Sequence, residues 1–77
     1  MIYIDVRTKE EYENAHKDDA LHHDIMDIMM GTLPDLPKDS EITLYCESGN
    51  RSMMAKQMLE SSGFTNITDG GSIDNHI

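Results

Sequence analysis

The order of apolar and polar positions predicts short strands that alternate with helices. Runs of β-branched and other apolar residues predict strands over 2–6 and 41–46. Apolar residues at helical spacing predict helices over about 24–30 and 52–62. Strands that alternate with helices form βαβ units, so the pattern predicts an α/β fold with a parallel β-sheet flanked by short helices.

Turn and capping residues add detail to this pattern. The segment Thr8-Lys9-Glu10-Glu11 is a capping box, which predicts a short helix over about 9–14. Gly63 and Phe64 predict that the last helix ends in a Schellman motif. The remaining expectations are an extended piece near Ala20-Leu21, a proline-punctuated loop over 33–39, a strand over 66–68, a tight turn over 69–71, and a frayed tail or stub of helix over 72–77.

The methionines supply much of the predicted core. In the helix over 52–62, Met54, Ala55, Met58 and Leu59 share one face. We expect this face, together with Met26, Met29 and Met30 of the preceding helix, to be buried. Met53 lies off the apolar face and is expected to border the opening of the site.

Length and charge restrict the class of protein. A chain of 77 residues holds one domain, over 1–77. Six basic and fifteen acidic residues give a net charge of -9, which argues against nucleic-acid or membrane-surface partners. A single cysteine excludes an internal disulfide, and no apolar run is long enough to span a membrane. We expect a monomer.

The start of the chain leaves the compartment open. No signal-peptide pattern is present, and a predicted strand begins directly after Met1. The protein is expected to be cytoplasmic if Met1 is the native start, and periplasmic if a leader has been removed.

The candidate chemistry lies between the second strand and the helix that follows it, in Cys46-Glu47-Ser48-Gly49-Asn50-Arg51. A cysteine at this position faces the positive end of the helix dipole and a loop whose amides can point inward. Gly49 permits the positive φ that a tight loop needs, and Arg51 is expected to close the ring with its fork of donors. A lone cysteine at a strand end is usually a small buried apolar residue. Gly49 and Arg51 at these spacings favour instead a reactive thiolate with a lowered pKa.

This segment resembles the active-site loop of the rhodanese family of single-domain sulfurtransferases. The resemblance extends to Tyr3-Ile4-Asp5-Val6-Arg7, Glu11-Tyr12, His16, Gly63-Phe64 and Gly70-Gly71. The chain is similar to the minimal phage-shock-protein-E type of this family. The resemblance implies a small rhodanese-like domain that moves a sulfane sulfur through a persulfide on Cys46. The donor would be thiosulfate or a persulfide, the acceptor a thiol or cyanide, with no metal or organic cofactor.

The resemblance also suggests a role for each site residue. Cys46 and Arg51 are the expected catalytic residues, and the expected substrate-binding residues are Glu47, Ser48, Gly49, Asn50 and Ser52. Asp5 and Arg7 are expected to support the structure, with Arg7 paired to Glu11. Arg51 is expected to be the only cation at the loop, opposed by the Glu47 carboxylate. Adjacent residues of a strand point to opposite faces, which argues against a metal site at His22-His23.

Two alternatives stay open. One is a non-catalytic interaction module with the rhodanese fold, although the presence of both Cys46 and Arg51 argues against it. The other is a cysteine-dependent phosphatase or arsenate reductase. Such phosphatases carry a Cys-x5-Arg loop, whereas this chain has Cys-x4-Arg, and the shorter ring favours a single sulfur.

Overall fold

The computed structural model describes residues 1–77 and confirms the predicted α/β fold. Four parallel strands form one sheet in the order β2-β1-β3-β4. The strands are β1 (Ile2–Asp5), β2 (Leu21–His22), β3 (Ile42–Cys46) and β4 (Ile67–Ser72). The helices are α1 (Lys9–Asn14), α2 (Ile25–Met29) and α3 (Asn50–Ser61), followed by a 3₁₀ turn (Ile73–Asn75). The stub of helix expected near the C-terminus is therefore present.

The central strand β3 is buried along its whole length, as expected for a strand with neighbours on both sides. Three of its side chains, Ile42, Leu44 and Cys46, join an apolar core formed with helices α2 and α3. The members of this core are Ile4, Val6, Ile25, Ile28, Ile42, Leu44, Cys46, Ala55, Leu59, Phe64 and Ile67. Burial of β3 thus fixes Cys46, its last residue, at the carboxyl edge of the sheet.

The predicted helix signals are confirmed by hydrogen bonds. Thr8 and Glu11 make both bonds of the capping box at the start of α1. At the end of α3 the Phe64 amide donates to the Leu59 carbonyl at 3.0 Å, and Gly63 has φ +103°. Phe64 folds back into the core, as the Schellman motif predicts.

The methionine prediction is wrong. Met26, Met29, Met30 and Met54 are about half exposed or more, and only Met58 packs partly against the core. The buried positions of α2 are Ile25 and Ile28, and those of α3 are Ser52, Ala55 and Leu59. The sheet therefore contacts a face of α3 rotated from the predicted one, and that face includes a serine.

The expected tight turn over 69–71 is also wrong, because β4 continues through it to Ser72. Gly70 makes this extension possible. A β-carbon at Gly70 would lie 2.8 Å from both the Leu44 carbonyl oxygen and Thr43 Cγ2. The pairing of β3 with β4 shifts register between Leu44 and Cys46, so that Ser72 becomes the partner of Cys46. No helix is both long and apolar enough to cross a membrane.

Candidate active site

Cys46 is the centre of the site, and its side chain is 0% exposed. Its sulfur accepts hydrogen bonds from the amide of Gly49 at 3.0 Å and from the amide of Ser52 at 3.3 Å. The Ser52 oxygen lies 3.6 Å from the same sulfur. The loop after β3 therefore curls around the sulfur and directs backbone donors at it, as an anion-binding nest does.

The path of this loop depends on Gly49, which caps α3. Gly49 has φ +98°, a left-handed conformation that favours glycine. Its turn lets α3 begin at Asn50, two residues before the predicted start at Ser52. The Ser52 amide, in the first turn of the helix, is therefore free of a helical partner and points at Cys46.

Burial and hydrogen bonding act in opposite directions on Cys46. Burial, the largest influence, acts to raise its pKa. Hydrogen bonds donated by the amides of Ser52, Gly49 and Ser48 act to lower it. The net direction is a pKa below the ordinary value for cysteine, which favours the thiolate, the nucleophilic form.

Ser52 connects the cysteine to strand β4. Its hydroxyl is 2.7 Å from Asp69 Oδ1 and 3.1 Å from the Gly49 carbonyl oxygen. The same Asp69 oxygen accepts from the Gly71 amide at 2.9 Å. Sulfur, hydroxyl and carboxylate thus form a row from the buried Cys46 to the exposed Asp69.

Arg51 does not close the loop on itself as predicted. Its two terminal nitrogens donate to the two carboxylate oxygens of Glu11 in α1, at 2.7 and 3.0 Å. The hydrogen bonds from Arg51 lower the pKa of Glu11 to about 2. Arg51 also lies close enough to Cys46 for electrostatic attraction between them. Its guanidinium therefore ties the start of α3 to α1.

Arg7 occupies a different position from the predicted one. It does not pair with Glu11; it donates to both carboxylate oxygens of Asp5, at 2.7 to 3.1 Å. It also donates to Glu47 at 3.1 Å, so Arg51 is not the only cation at the loop. Asp5 is 0% exposed and Arg7 is 4% exposed, which makes them a buried ion pair. Glu47 lies on the outer side of the loop after β3, with its side chain 55% exposed.

The other residues predicted for the site differ in whether they contact Cys46. Gly49 and Ser52 contact the sulfur, whereas the exposed Ser48 and Asn50 side chains make no hydrogen bond. Met53 is half exposed in the first turn of α3. His22 and His23 bond different backbone carbonyls, those of Arg7 and Thr32. No cluster of three or more His, Cys, Asp or Glu residues is arranged to hold a metal ion.

Two residues that the sequence interpretation left out of the site contribute to it. The sequence predicts Glu11 as a helix cap and a partner for Arg7, whereas in the structure its carboxylate binds Arg51. The sequence predicts a turn at Asp69, whereas in the structure this residue lies in β4. The signal for Asp69 is topological, because the carboxyl ends of neighbouring parallel strands meet at one edge of a sheet. Extending β4 through the glycines would have placed Asp69 beside the Cys46 loop.

Comparison with known families agrees with this geometry. The sequence matches the family model described as Rhodanese-like domain over residues 1–72. It is 28% identical over 72 residues to the thiosulfate sulfurtransferase PspE of Escherichia coli, covering 92% of this chain and 69% of PspE. It is 32% identical over 78 residues to the adenylyltransferase and sulfurtransferase UBA4 of Saccharomyces cerevisiae, covering 88% of this chain. The match spans 18% of UBA4.

Solved structures show the same fold. A rhodanese with anions from Escherichia coli superimposes with a TM-score of 0.81 at 27% identity. The superposition covers 96% of this chain and 88% of that one. The chain is thus similar to a single small domain along nearly its whole length.

Proposed function

Because this chain belongs to the rhodanese-like domain family, we propose that it is a sulfurtransferase whose sulfur carrier is Cys46. The observation that carries the proposal is the buried Cys46 sulfur, held by the amides of Gly49 and Ser52. These donors can stabilise a thiolate, and equally an anionic sulfur bonded to it. The proposal takes thiosulfate as the donor, the substrate in the name of the relative PspE.

In the proposed first half-reaction the Cys46 thiolate attacks the outer sulfur of thiosulfate. A bond forms between Sγ and that outer sulfur, while the bond between the two thiosulfate sulfurs breaks. Sulfite leaves with the electron pair of the broken bond, and the charge remains on the outer sulfur of a Cys46 persulfide. The loop amides are the donors available to this sulfur.

In the second half-reaction a thiolate or cyanide attacks the outer sulfur. The sulfur–sulfur bond of the persulfide breaks, the Cys46 thiolate departs with its electrons, and the acceptor carries the sulfur away. The thiolate is a good leaving group here because the surrounding hydrogen bonds lower the pKa of Cys46. Arg51 supports both halves in this proposal, as a fixed positive charge near the sulfur.

Intact mass spectrometry tests the proposed function. After incubation with thiosulfate and removal of the excess, we expect the protein to gain the mass of one sulfur atom. Addition of cyanide should return the original mass and release thiocyanate. A folded protein that gains no sulfur from thiosulfate or from a small-molecule persulfide would instead favour the non-catalytic interaction module.

The charged residues around the Cys46 loop lead to a prediction about Glu47. Asp5, Glu11 and Glu47 carry three negative charges and Arg7 and Arg51 carry two positive ones, a net of -1 for these paired residues. A dianion about 8 Å from one unit charge is repelled by about 1 kcal/mol in a water-like dielectric. We therefore expect Glu47→Gln to lower KM for thiosulfate about fivefold at low salt, with kcat little changed, and to flatten the dependence of KM on ionic strength.

Asp39→Asn is the matched control, since it removes the same charge from an exposed residue before β3, at the opposite edge of the sheet. Steady-state rates are measured against thiosulfate concentration and ionic strength for both variants and the wild type. We expect KM of Asp39→Asn to follow the wild-type curve. An unchanged or raised KM for Glu47→Gln, or an equal fall for Asp39→Asn, would contradict a local role for Glu47.

A further inference from the structure

We propose that Asp69 is a positioning residue that accepts a hydrogen bond from the Ser52 hydroxyl and so leaves the Ser52 oxygen facing Cys46 as a hydrogen-bond acceptor. The proposal follows from the row of groups that runs from Cys46 through Ser52 to Asp69. The Ser52 oxygen lies 2.7 Å from the Asp69 carboxylate and 3.6 Å from the Cys46 sulfur. The residue acts through Ser52 and does not itself touch the sulfur.

A serine hydroxyl carries one proton, so it donates to one group at a time. Three acceptors surround the Ser52 hydroxyl: the Asp69 carboxylate, the Gly49 carbonyl at 3.1 Å, and Cys46 when it is a thiolate. The bond to Asp69 is the shortest and is assisted by the carboxylate charge, which makes it the strongest of the three. The Ser52 hydroxyl therefore donates its hydrogen bond to Asp69.

The position of that proton decides how Ser52 acts on Cys46. With its proton on the Asp69 side, the Ser52 oxygen presents a lone pair to the sulfur and accepts from the protonated thiol. It helps a thiolate only if the hydroxyl turns away from Asp69. The thiolate then relies on the amides of Gly49 and Ser52. Asp69 thus keeps the pKa of Cys46 higher than it would be with the hydroxyl free.

The consequence of this hydrogen bond for sulfur transfer rests on the proposed function. In a persulfide the negative charge lies on the outer sulfur, and the inner sulfur is neutral. Withholding a donor from the inner sulfur destabilises the free thiolate and leaves the persulfide little affected. It also preserves nucleophilicity, which falls as the pKa of a thiol falls. Asp69 would therefore shift the balance of the cycle toward the sulfur-loaded form.

Other charged groups at the site also influence the pKa of Cys46, so the test must hold them constant. The charged side chains of the site are Asp5 at the end of β1, Arg7 after it, Glu11 of α1, Glu47 and Arg51 of the segment after β3, and Asp69 of β4. A substitution at Ser52 leaves all of them in place. The chain has a single cysteine, so no second thiolate contributes to the ultraviolet absorbance that reports Cys46.

The test is the pKa of Cys46 in the purified, sulfur-free protein, titrated by thiolate absorbance. We expect Ser52→Ala to leave this pKa within about 0.3 unit of wild type or to lower it, because the Ser52 oxygen acts toward Cys46 only as an acceptor. The matched control Ser61→Ala, at an exposed serine at the far end of α3, should leave the pKa unchanged. If the hydroxyl instead donated to the thiolate, its removal would raise the pKa by about one unit or more, since a hydrogen bond to a charged group contributes about 1.5–3 kcal/mol. That rise would overturn the proposal.

Asp69→Asn provides the second arm, with Asp74→Asn as a control for loss of an exposed acidic charge. We expect Asp69→Asn to lower the pKa of Cys46 by about 0.5 to 1 unit, because the freed hydroxyl can donate to the thiolate. In a Ser52→Ala background at least half of this shift should disappear. Two results would show that Asp69 does not act through Ser52. One is that Asp69→Asn does not lower the pKa of Cys46; the other is that more than half of its pKa shift remains in the Ser52→Ala background.

Neither arm depends on sulfur transfer, so these outcomes are independent of whether thiosulfate loads the protein. Circular dichroism establishes that each variant is folded. If Asp69→Asn fails to fold, the Ser52→Ala result alone decides, because that change removes a single buried oxygen and adds no charge.

Discussion

Replacing Cys46 with serine is expected to abolish sulfur transfer and to leave the fold intact. The serine oxygen fits the same buried position and can accept from the amides of Gly49 and Ser52. An alcohol does not ionise near neutral pH, and it cannot hold a sulfane sulfur as a persulfide does. We therefore expect thiocyanate formation from thiosulfate and cyanide to fall at least about 1,000-fold, the scale seen when an enzyme loses its nucleophile.

Thiocyanate is measured by its coloured iron complex, and stability by urea unfolding. The unfolding free energy of Cys46→Ser should lie within about 2 kcal/mol of wild type, because the new hydroxyl keeps hydrogen-bonding partners in its buried site. Cys46→Ala is the companion variant, equally inactive but unable to accept from the loop amides. Substantial thiocyanate production by the folded serine variant would show that Cys46 is not the sulfur carrier.

Arg7→Met is expected to have the largest effect on stability. Arg7 is almost fully buried and neutralises Asp5, which is itself 0% exposed. Removing one partner of a buried ion pair costs about 3–5 kcal/mol, because the other charge stays buried and uncompensated. A domain of this size has an unfolding free energy of only about 4–12 kcal/mol, so this loss should remove a large share of its stability.

The double variant Asp5→Asn/Arg7→Met isolates the reason for this loss. With both charges removed, no unpaired charge remains in the core, so the double variant should be more stable than Arg7→Met alone. Lys56→Ala serves as the control at an exposed pair with Glu60, where we expect a change of less than about 0.5 kcal/mol. Urea unfolding followed by circular dichroism measures all three. A loss for Arg7→Met no larger than that for Lys56→Ala would contradict a structural role for the buried pair.

The parts of the fold that depend on local patterns were predictable. The apolar runs of β1 and β3, the capping box of α1 and the glycine ending of α3 each carry a signal within a few residues. The position of Cys46 at the carboxyl end of β3 follows from the same local pattern. These features agree with the structure because no contact between residues far apart in the sequence overrides the local pattern.

The errors lie where distant contacts decide. Methionine is apolar, so the pattern put Met54 in the core, yet the sheet accepts the small Ala55 and Ser52 on the contacting face. Asp69 before two glycines has the appearance of a turn until β3 is placed beside it. The pairing of Arg7 with Glu47 and of Arg51 with Glu11 depends on which side chains the sheet brings together, and spacing along the sequence does not reveal that.

The two pairs Arg7–Glu47 and Arg51–Glu11 show that both halves of the chain supply residues to the candidate site. Each pair joins residues that are 40 positions apart. A cut within the proline-containing loop over 33–39 would leave Arg7 and Glu11 on one fragment, and Glu47 and Arg51 on the other. Each fragment would then carry one member of each of these two pairs, although Arg7 would keep its other partner, Asp5. Cys46 would stay with a fragment that lacks β1, so complementation of the two pieces, and not either piece alone, would assemble the site.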